Sequence, residues 1–166
     1  MDMTMFLSIL IAVILAGLLS YWFYFQPKQK KEGKQTTNSS NTLQLQAYER
    51  LTLLVDRIAL PNLISRTPND GLSARNMQLV LTKTIRDEFD YNITQQIYIT
   101  PEVWNAVKNL KEKNLLIINQ IAAAMPPNAS GIDLNRSILE FLMNDSKGNL
   151  YELVSEALSY EAKKLL

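Results

Sequence analysis

The sequence predicts an all-α protein in which one N-terminal transmembrane helix precedes a soluble bundle of about five helices. Three observations predict this class. An uncharged apolar run lies near the N-terminus, apolar residues recur at helical spacing in the rest of the chain, and prolines, glycines and capping residues divide that pattern into separate helices. The corresponding domains are a transmembrane anchor at residues 1–26, a basic and polar linker at residues 27–42, and a helical soluble domain at residues 43–166.

The apolar run extends from Met5 to Phe25, which is 21 residues without a charge. As a helix it would rise about 31 Å, which matches the hydrocarbon thickness of a bilayer. The run ends in four aromatic residues from Tyr21 to Tyr24, as is typical of the membrane–water interface. A cleaved signal peptide is the alternative, but the residues before the run contain Asp2 and no basic residue. We therefore expect this helix to span the membrane and to stay attached.

The charges beside the run predict its orientation. The segment KQKKEGK, at residues 28–34, contains four lysines, whereas no lysine or arginine precedes the span. Because basic residues concentrate on the cytoplasmic side of a membrane, the N-terminus is expected outside and residues 28–166 in the cytoplasm. Within the span, small residues recur at a strict spacing of four, which would let a second helix approach closely. This predicted contact face, suited to pairing of two copies, comprises Ser8, Ala12, Ala16 and Ser20.

The segment GKQTTNSSNT, Gly33 to Thr42, has no apolar residue to pack and is predicted to be a flexible tether. The soluble domain is then expected to begin at Leu43 with an amphipathic helix that Pro61 interrupts. Four further helices follow from periodicity and capping signals. They are predicted at about Ser73–Tyr91, at Pro101–Ala124 after Thr100, from a cap at Ser130 and Asp133 to the turn at residues 144–148, and from a cap at Asn149 and Glu152 onward. Residues 92–100 are left open as strand, helix or loop.

Composition argues against most chemistry. The chain has no cysteine and no histidine, so thiolate nucleophiles, disulfides and the commonest metal ligands are missing. Residues 43–166 carry 13 basic and 14 acidic side chains, a net charge of 13 − 14 = −1 that does not suit nucleic-acid binding. The acidic cluster at residues 87–90 is predicted to be a solvated helix face. We expect no enzymatic activity, no cofactor, no metal and no nucleic-acid partner.

Aromatic residues offer one possible binding site. Tyr48 and Trp104 could line a ligand pocket or a partner surface, although aromatic residues at helical spacing belong more often to the core. Both interpretations stay open from the sequence alone.

Several stretches carry a resemblance to a known group of proteins: LQAYERLTLLVDRI (Leu45–Ile58), PNLISR (Pro61–Arg66), NITQQIYITPEVWNAVK (Asn92–Lys108) and IINQIA (Ile117–Ala122). The chain resembles a family of uncharacterised small single-pass membrane proteins from Bacteroidota, with an N-terminal span and a cytosolic helical domain. This resemblance implies a location in the bacterial inner membrane. It implies no catalytic residues.

These observations favour a membrane-tethered, non-enzymatic interaction or scaffold module. Its expected partners are the lipid bilayer, an unidentified protein, and a second copy of the chain through the membrane helix. The alternative is a helical domain, anchored at the membrane, that binds a small molecule or a lipid. A solid core without a cavity would argue against that alternative.

Overall fold

A computed structural model describes residues 16–22, 32–144 and 150–166. In these ranges the regular structure is helical apart from one isolated β-bridge, so the predicted all-α class is confirmed. Residues 16–22 are helical. The elements that follow are α1 (Glu32–Ile58), α2 (Leu60–Arg66), α3 (Ala74–Tyr91), a 3-10 helix (Ile93–Ile97), α4 (Pro101–Ala124), α5 (Gly131–Asn144) and α6 (Leu150–Lys163).

The predicted membrane span, Met5–Phe25, lies mostly outside the described residues, which include only residues 16–22 of it. Among the helices in the described ranges, none combines the length and the apolar character needed to cross a bilayer. The span therefore stays a prediction from the sequence.

The predicted flexible tether is helical in the structure, because α1 begins at Glu32 and runs without interruption to Ile58. A helix that packed residues have already nucleated extends at little cost, since each added residue gains a backbone hydrogen bond. The polar composition of residues 33–42 therefore led to a wrong prediction of a flexible tether, because the backbone there is helical. The chain divides into two compact units, Met1–Ser39 and Ser40–Leu166. The three domain limits given by the sequence stay a prediction.

Pro61 separates α1 from α2. In a continuous helix its ring would clash with the carbonyl of Arg57, and it has no N–H to donate. Ala59 accordingly turns the chain with an extended ψ of 124°. Three carbonyls at the end of α1 accept hydrogen bonds from side chains, the first being that of Asp56, which accepts from Asn62 Nδ2 at 3.1 Å. Arg66 Nη2 donates to the Arg57 oxygen at 2.8 Å, and Asn114 Nδ2 donates to the Ile58 oxygen at 2.8 Å.

Side-chain caps begin three of the helices. Ser73 Oγ accepts from the Asn76 N–H at 3.2 Å, and Thr100 Oγ1 accepts from the Val103 N–H. At α5 the cap is reciprocal: the Ser130 N–H donates to Asp133 Oδ2 at 3.1 Å, and the Asp133 N–H donates to Ser130 Oγ at 3.2 Å. Hydrogen bonds from Ser130, first from its hydroxyl and then from its backbone, hold the pKa of Asp133 below its ordinary value.

The starts of α3 and α5 are joined to each other. Ser73 and Ser130 form an antiparallel bridge, in which the Ala74 N–H donates to the Ala129 oxygen at 2.9 Å and the Gly131 N–H donates to the Leu72 oxygen at 2.7 Å. This close approach favours glycine at 131, because a Cβ there would lie 3.1 Å from both the Leu72 oxygen and Met77 Cβ, and these neighbours would have to shift by a few tenths of an ångström. The N-termini of α3 and α5 therefore lie side by side, joined by these backbone hydrogen bonds.

In the second unit, Ser40–Leu166, α3 packs on α4 and α5, α4 packs on α5 and α6, and α2 packs on α5. The apolar stripe predicted for the first helix is buried throughout. The largest fully buried side chains come from six helices: Leu51, Leu54, Ile58, Leu63, Met77, Leu81, Ile85, Leu110, Ile118, Leu134, Ile138 and Leu158. They form one continuous core.

Candidate functional site

The predicted contact face of the membrane helix lies only partly in the described residues. Ser8 and Ala12 lie outside them. Ala16 and Ser20 lie in the helical residues 16–22, where the Ser20 hydroxyl donates to the Ala16 carbonyl at 2.8 Å. Both side chains are exposed, and pairing through this face stays a prediction.

Tyr48 and Trp104 lie in and against the core. Tyr48 is 4% exposed, whereas Trp104 is partly buried and stacks on Phe89 with 5.0 Å between ring centroids. Neither residue lines the groove or the cleft described below. The structure therefore places both aromatic residues with the apolar core, and their role in a ligand pocket or partner surface stays a prediction.

The acidic cluster at residues 87–90 forms ion pairs on the surface of α3. Glu88 Oε1 accepts from Arg57 Nε at 2.8 Å and lies 3.6 Å from Arg66 Nη1, so it links α3 to α1 and α2. Asp87 pairs with Lys83 one turn away. The hydrogen bond that Arg57 donates to the Glu88 carboxylate raises the pKa of Arg57. Within the described residues, acidic side chains do not gather in a group of three able to hold a metal ion.

α5 carries an exposed apolar stripe beside a groove. Ile132, Leu139 and Met143, here named the α5 stripe, fall on one side of the helix at spacings of seven and four residues. Ile132 is 50% exposed, Leu139 is half-buried and Met143 is 80% exposed. The groove beside them continues to Pro61 at the start of α2. α5 therefore packs one face on the core and presents a second apolar surface to solvent.

One buried polar atom lies beside this groove. Asn135 is 6% exposed, and its Oδ1 is the fully buried side-chain oxygen or nitrogen that finds no hydrogen-bond partner among the described residues. An unsatisfied buried polar atom costs about 1 to 3 kcal/mol. A hydrophobic residue of the same shape would avoid this cost, so packing alone does not explain asparagine at this position.

A second concavity, here named the junction cleft, opens where α1 turns into α2. Its volume is about 270 Å³. α4 supplies one wall, and the facing ends of α5 and α6 supply the other. The residues that line it include Leu60, Leu110, Asn114, Ile117, Leu142 and Leu150. Asn114 is 5% exposed, so this cleft contains a buried amide beside apolar side chains.

Comparison with known families gives one result. Residues 1–165 match a family described as a family of unknown function, DUF7935. The chain belongs to this family. Searches of curated proteins and of solved structures gave no match. Membership of DUF7935 confirms the expectation of an uncharacterised family, and it assigns no activity.

Sequence reasoning missed the two concave surfaces of this DUF7935 protein. The helical spacing of the α5 stripe is visible in the sequence. The core residues Leu134 and Ile138 on the same helix show similar spacing, so the pattern alone does not separate the exposed face from the buried one. The role of Asn114 could not be predicted from the sequence, because it depends on the Ile58 carbonyl, which lies in a different helix beside the break at Pro61. Contacts between distant segments of the chain were needed to find both.

Proposed function

We propose that this DUF7935 protein is a single-pass membrane protein whose helical domain docks a protein partner along the α5 stripe and performs no catalysis. The single observation that carries the proposal is the exposed apolar surface of α5, from Ile132 to Met143. The chain would act as an interaction or scaffold module held at the membrane.

The membrane part of the proposal rests on the sequence. Met5–Phe25 has the length and composition of a spanning helix, and the four lysines that follow favour a cytoplasmic domain at residues 28–166 with the N-terminus outside. The resemblance to Bacteroidota proteins supports the bacterial inner membrane as the location. Ser8, Ala12, Ala16 and Ser20 would allow two copies to pair within that membrane.

The docking part rests on the cost of exposed apolar surface. Burying a large apolar side chain contributes about 1.5 to 3 kcal/mol, so contact with Ile132 and Met143 would stabilise a complex. An amphipathic helix is the partner element that suits this surface, because an apolar stripe at helical spacing fits into a groove beside another helix. Arg136 and Glu140 also line the groove and offer one charge of each sign for orienting that helix.

The absence of catalysis is proposed from composition. General acid–base chemistry near neutral pH most often uses histidine, and covalent chemistry often uses cysteine, and the sequence contains neither residue. Two carboxylates of α3, those of Asp87 and Glu88, are engaged in ion pairs.

Site-specific photocrosslinking in the native membrane tests the docking proposal. A photoreactive residue at position 143 of the full-length chain is expected to capture one protein in stoichiometric amount, identified by mass spectrometry. A photoreactive residue at position 53 is the control, because Leu53 is 58% exposed but lies on α1 in a different groove.

Charge substitution separates specific docking from general stickiness. Ile132→Lys should abolish the crosslink from position 143, whereas Leu53→Lys should leave it unchanged. A chain that purifies from mild detergent alone and monomeric, and gives no crosslink from position 143, would contradict the proposed function.

A further inference from the structure

The junction cleft contains an amide whose orientation the fold determines. Asn114 Nδ2 donates to the Ile58 carbonyl at 2.8 Å, and this carbonyl ends α1. The bond fixes which side of the amide is nitrogen, because a flipped amide would place its oxygen against the carbonyl oxygen. Asn114 Oδ1 therefore points away from the α1 end.

This oxygen is available to a ligand. No described residue donates a hydrogen bond to Asn114 Oδ1. In the described part of the chain, Asn135 Oδ1 is the only fully buried side-chain oxygen or nitrogen without a hydrogen-bond partner. Asn114 Oδ1 also lacks a donor but is not in this class, so it is not fully buried. Since Asn114 is 5% exposed and lines the cleft, the cleft is where its oxygen meets solvent.

The rest of the cleft suits a short hydrocarbon group. Leu60, Leu110 and Ile117 are buried and present apolar surface, and Leu142 and Leu150 close the opposite side. The volume of about 270 Å³ would hold about nine waters at about 30 Å³ each. That is close to the lower limit for pockets that bind small molecules, about 300 Å³.

The charges around the cleft do not favour an ion of either sign. Lys113 lines it on one side. On the other side, the Asp56 carboxylate accepts from Asn62 Nδ2 at 2.8 Å and from the Tyr151 hydroxyl at 3.4 Å, and both of these residues also line the cleft. An uncharged ligand avoids the cost of burying a charge without a dedicated partner.

We propose that the junction cleft binds a small uncharged molecule that carries a hydrogen-bond donor beside a short hydrocarbon or ring, with the donor on Asn114 Oδ1. Hydroxyl and amide compounds have this chemistry. This proposal rests on the cleft alone and does not depend on the proposed partner docking along the α5 stripe. An analogue without the donor would leave a buried oxygen unpaired, which is how a polar site rejects such an analogue.

Methyl NMR of the full-length chain in lipid nanodiscs tests this site with two probes. Benzyl alcohol has the donor, whereas benzyl methyl ether keeps the ring and loses the donor. Benzyl alcohol should give saturable shifts of the methyl signals of Ile117, Leu142 and Leu150. The ether should bind about tenfold more weakly, a factor that corresponds to about 1.4 kcal/mol.

Two variants locate the binding. Leu142→Trp should fill the cleft and abolish the saturable shifts, whereas Leu153→Trp, at a position 60% exposed on α6, should leave them unchanged. Shifts that rise linearly without saturation, equal affinity for the two probes, or shifts that persist in Leu142→Trp would overturn the proposal. The comparison of probes uses the wild-type chain, so it holds even where a variant fails to fold.

Discussion

Single side chains complete the end of α1. Arg66 and Asn114 donate to the carbonyls of Arg57 and Ile58 beside the break at Pro61, and Arg66 and Arg57 both approach Glu88. Polar side chains therefore join four helices, α1 to α4, around a single backbone break. The side-chain donors supply hydrogen bonds to carbonyls that the end of a helix leaves without a backbone partner.

A first prediction at this scale compares two neighbouring carboxylates. Glu88→Gln should lower the free energy of unfolding by about 1 kcal/mol, because Glu88 is 17% exposed and bonds to a different helix. Asp87→Asn is the matched control. Its pair with Lys83 stays within α3 and both side chains are largely exposed, so the change should stay below about 0.5 kcal/mol. Thermal unfolding of the two variants checks this, and equal effects would contradict it.

The sequence predicted core residues well and the roles of polar residues poorly. Six apolar residues of the first helix recur at helical spacing, which predicts one buried face, and all six are buried: Ala47, Tyr48, Leu51, Leu54, Val55 and Ile58. On α5, the helical spacing of Phe141 from Leu134 and Ile138 also predicts a buried side chain, but Phe141 is 43% exposed, because that helix is apolar on more than one side. Asn114 could not be assigned, since its partner carbonyl is 56 residues away in sequence.

At the scale of the element, local signals predicted where helices begin. Thr100 and Ser130 cap helices as expected, and the predicted limits Pro101–Ala124 are confirmed for α4. Ser73, which was expected as about the first residue of its helix, is the cap of α3. α2 was missed, because seven residues are too few to show helical periodicity. The undecided residues 92–100 contain a 3-10 helix at Ile93–Ile97, an element with little signature of its own in the sequence.

The reciprocal cap of α5 leads to a pH prediction. Because the pKa of Asp133 is lowered in the folded chain, its stabilising effect is fully present above the ordinary aspartate pKa and is lost as the pH falls through the lower, folded value. Asp133→Asn should therefore be less stable than the wild type at pH 7. The difference in melting temperature should shrink below about pH 4. A difference that stays constant between pH 7 and pH 3 would contradict this explanation.

At the scale of the whole molecule, membrane insertion is the prediction that most needs a direct test. The full-length chain should remain in the membrane fraction after an alkaline carbonate wash, whereas a chain lacking residues 1–26 should be released. Recovery of the full-length chain in the soluble fraction would contradict the proposed span.

Topology can be read with single cysteines, because the natural sequence has none. Thr4→Cys should react with a membrane-impermeant maleimide in intact spheroplasts. Ser39→Cys is the matched control and should react only after lysis, as expected for a domain on the cytoplasmic side. The reverse pattern would place the helical domain outside.

The bridge between Ser73 and Ser130 makes the N-terminus of α5 the point about which a rigid tilt of this helix would occur. It anchors the first residue of the helix, and the 14 residues of α5 extend about 21 Å from that point. A rigid tilt about this pivot hardly displaces Gly131 and displaces Leu142 and Met143 most. The same rotation would therefore shift the end of the α5 stripe and change the width of the junction cleft, so one helix mechanically links the two surfaces.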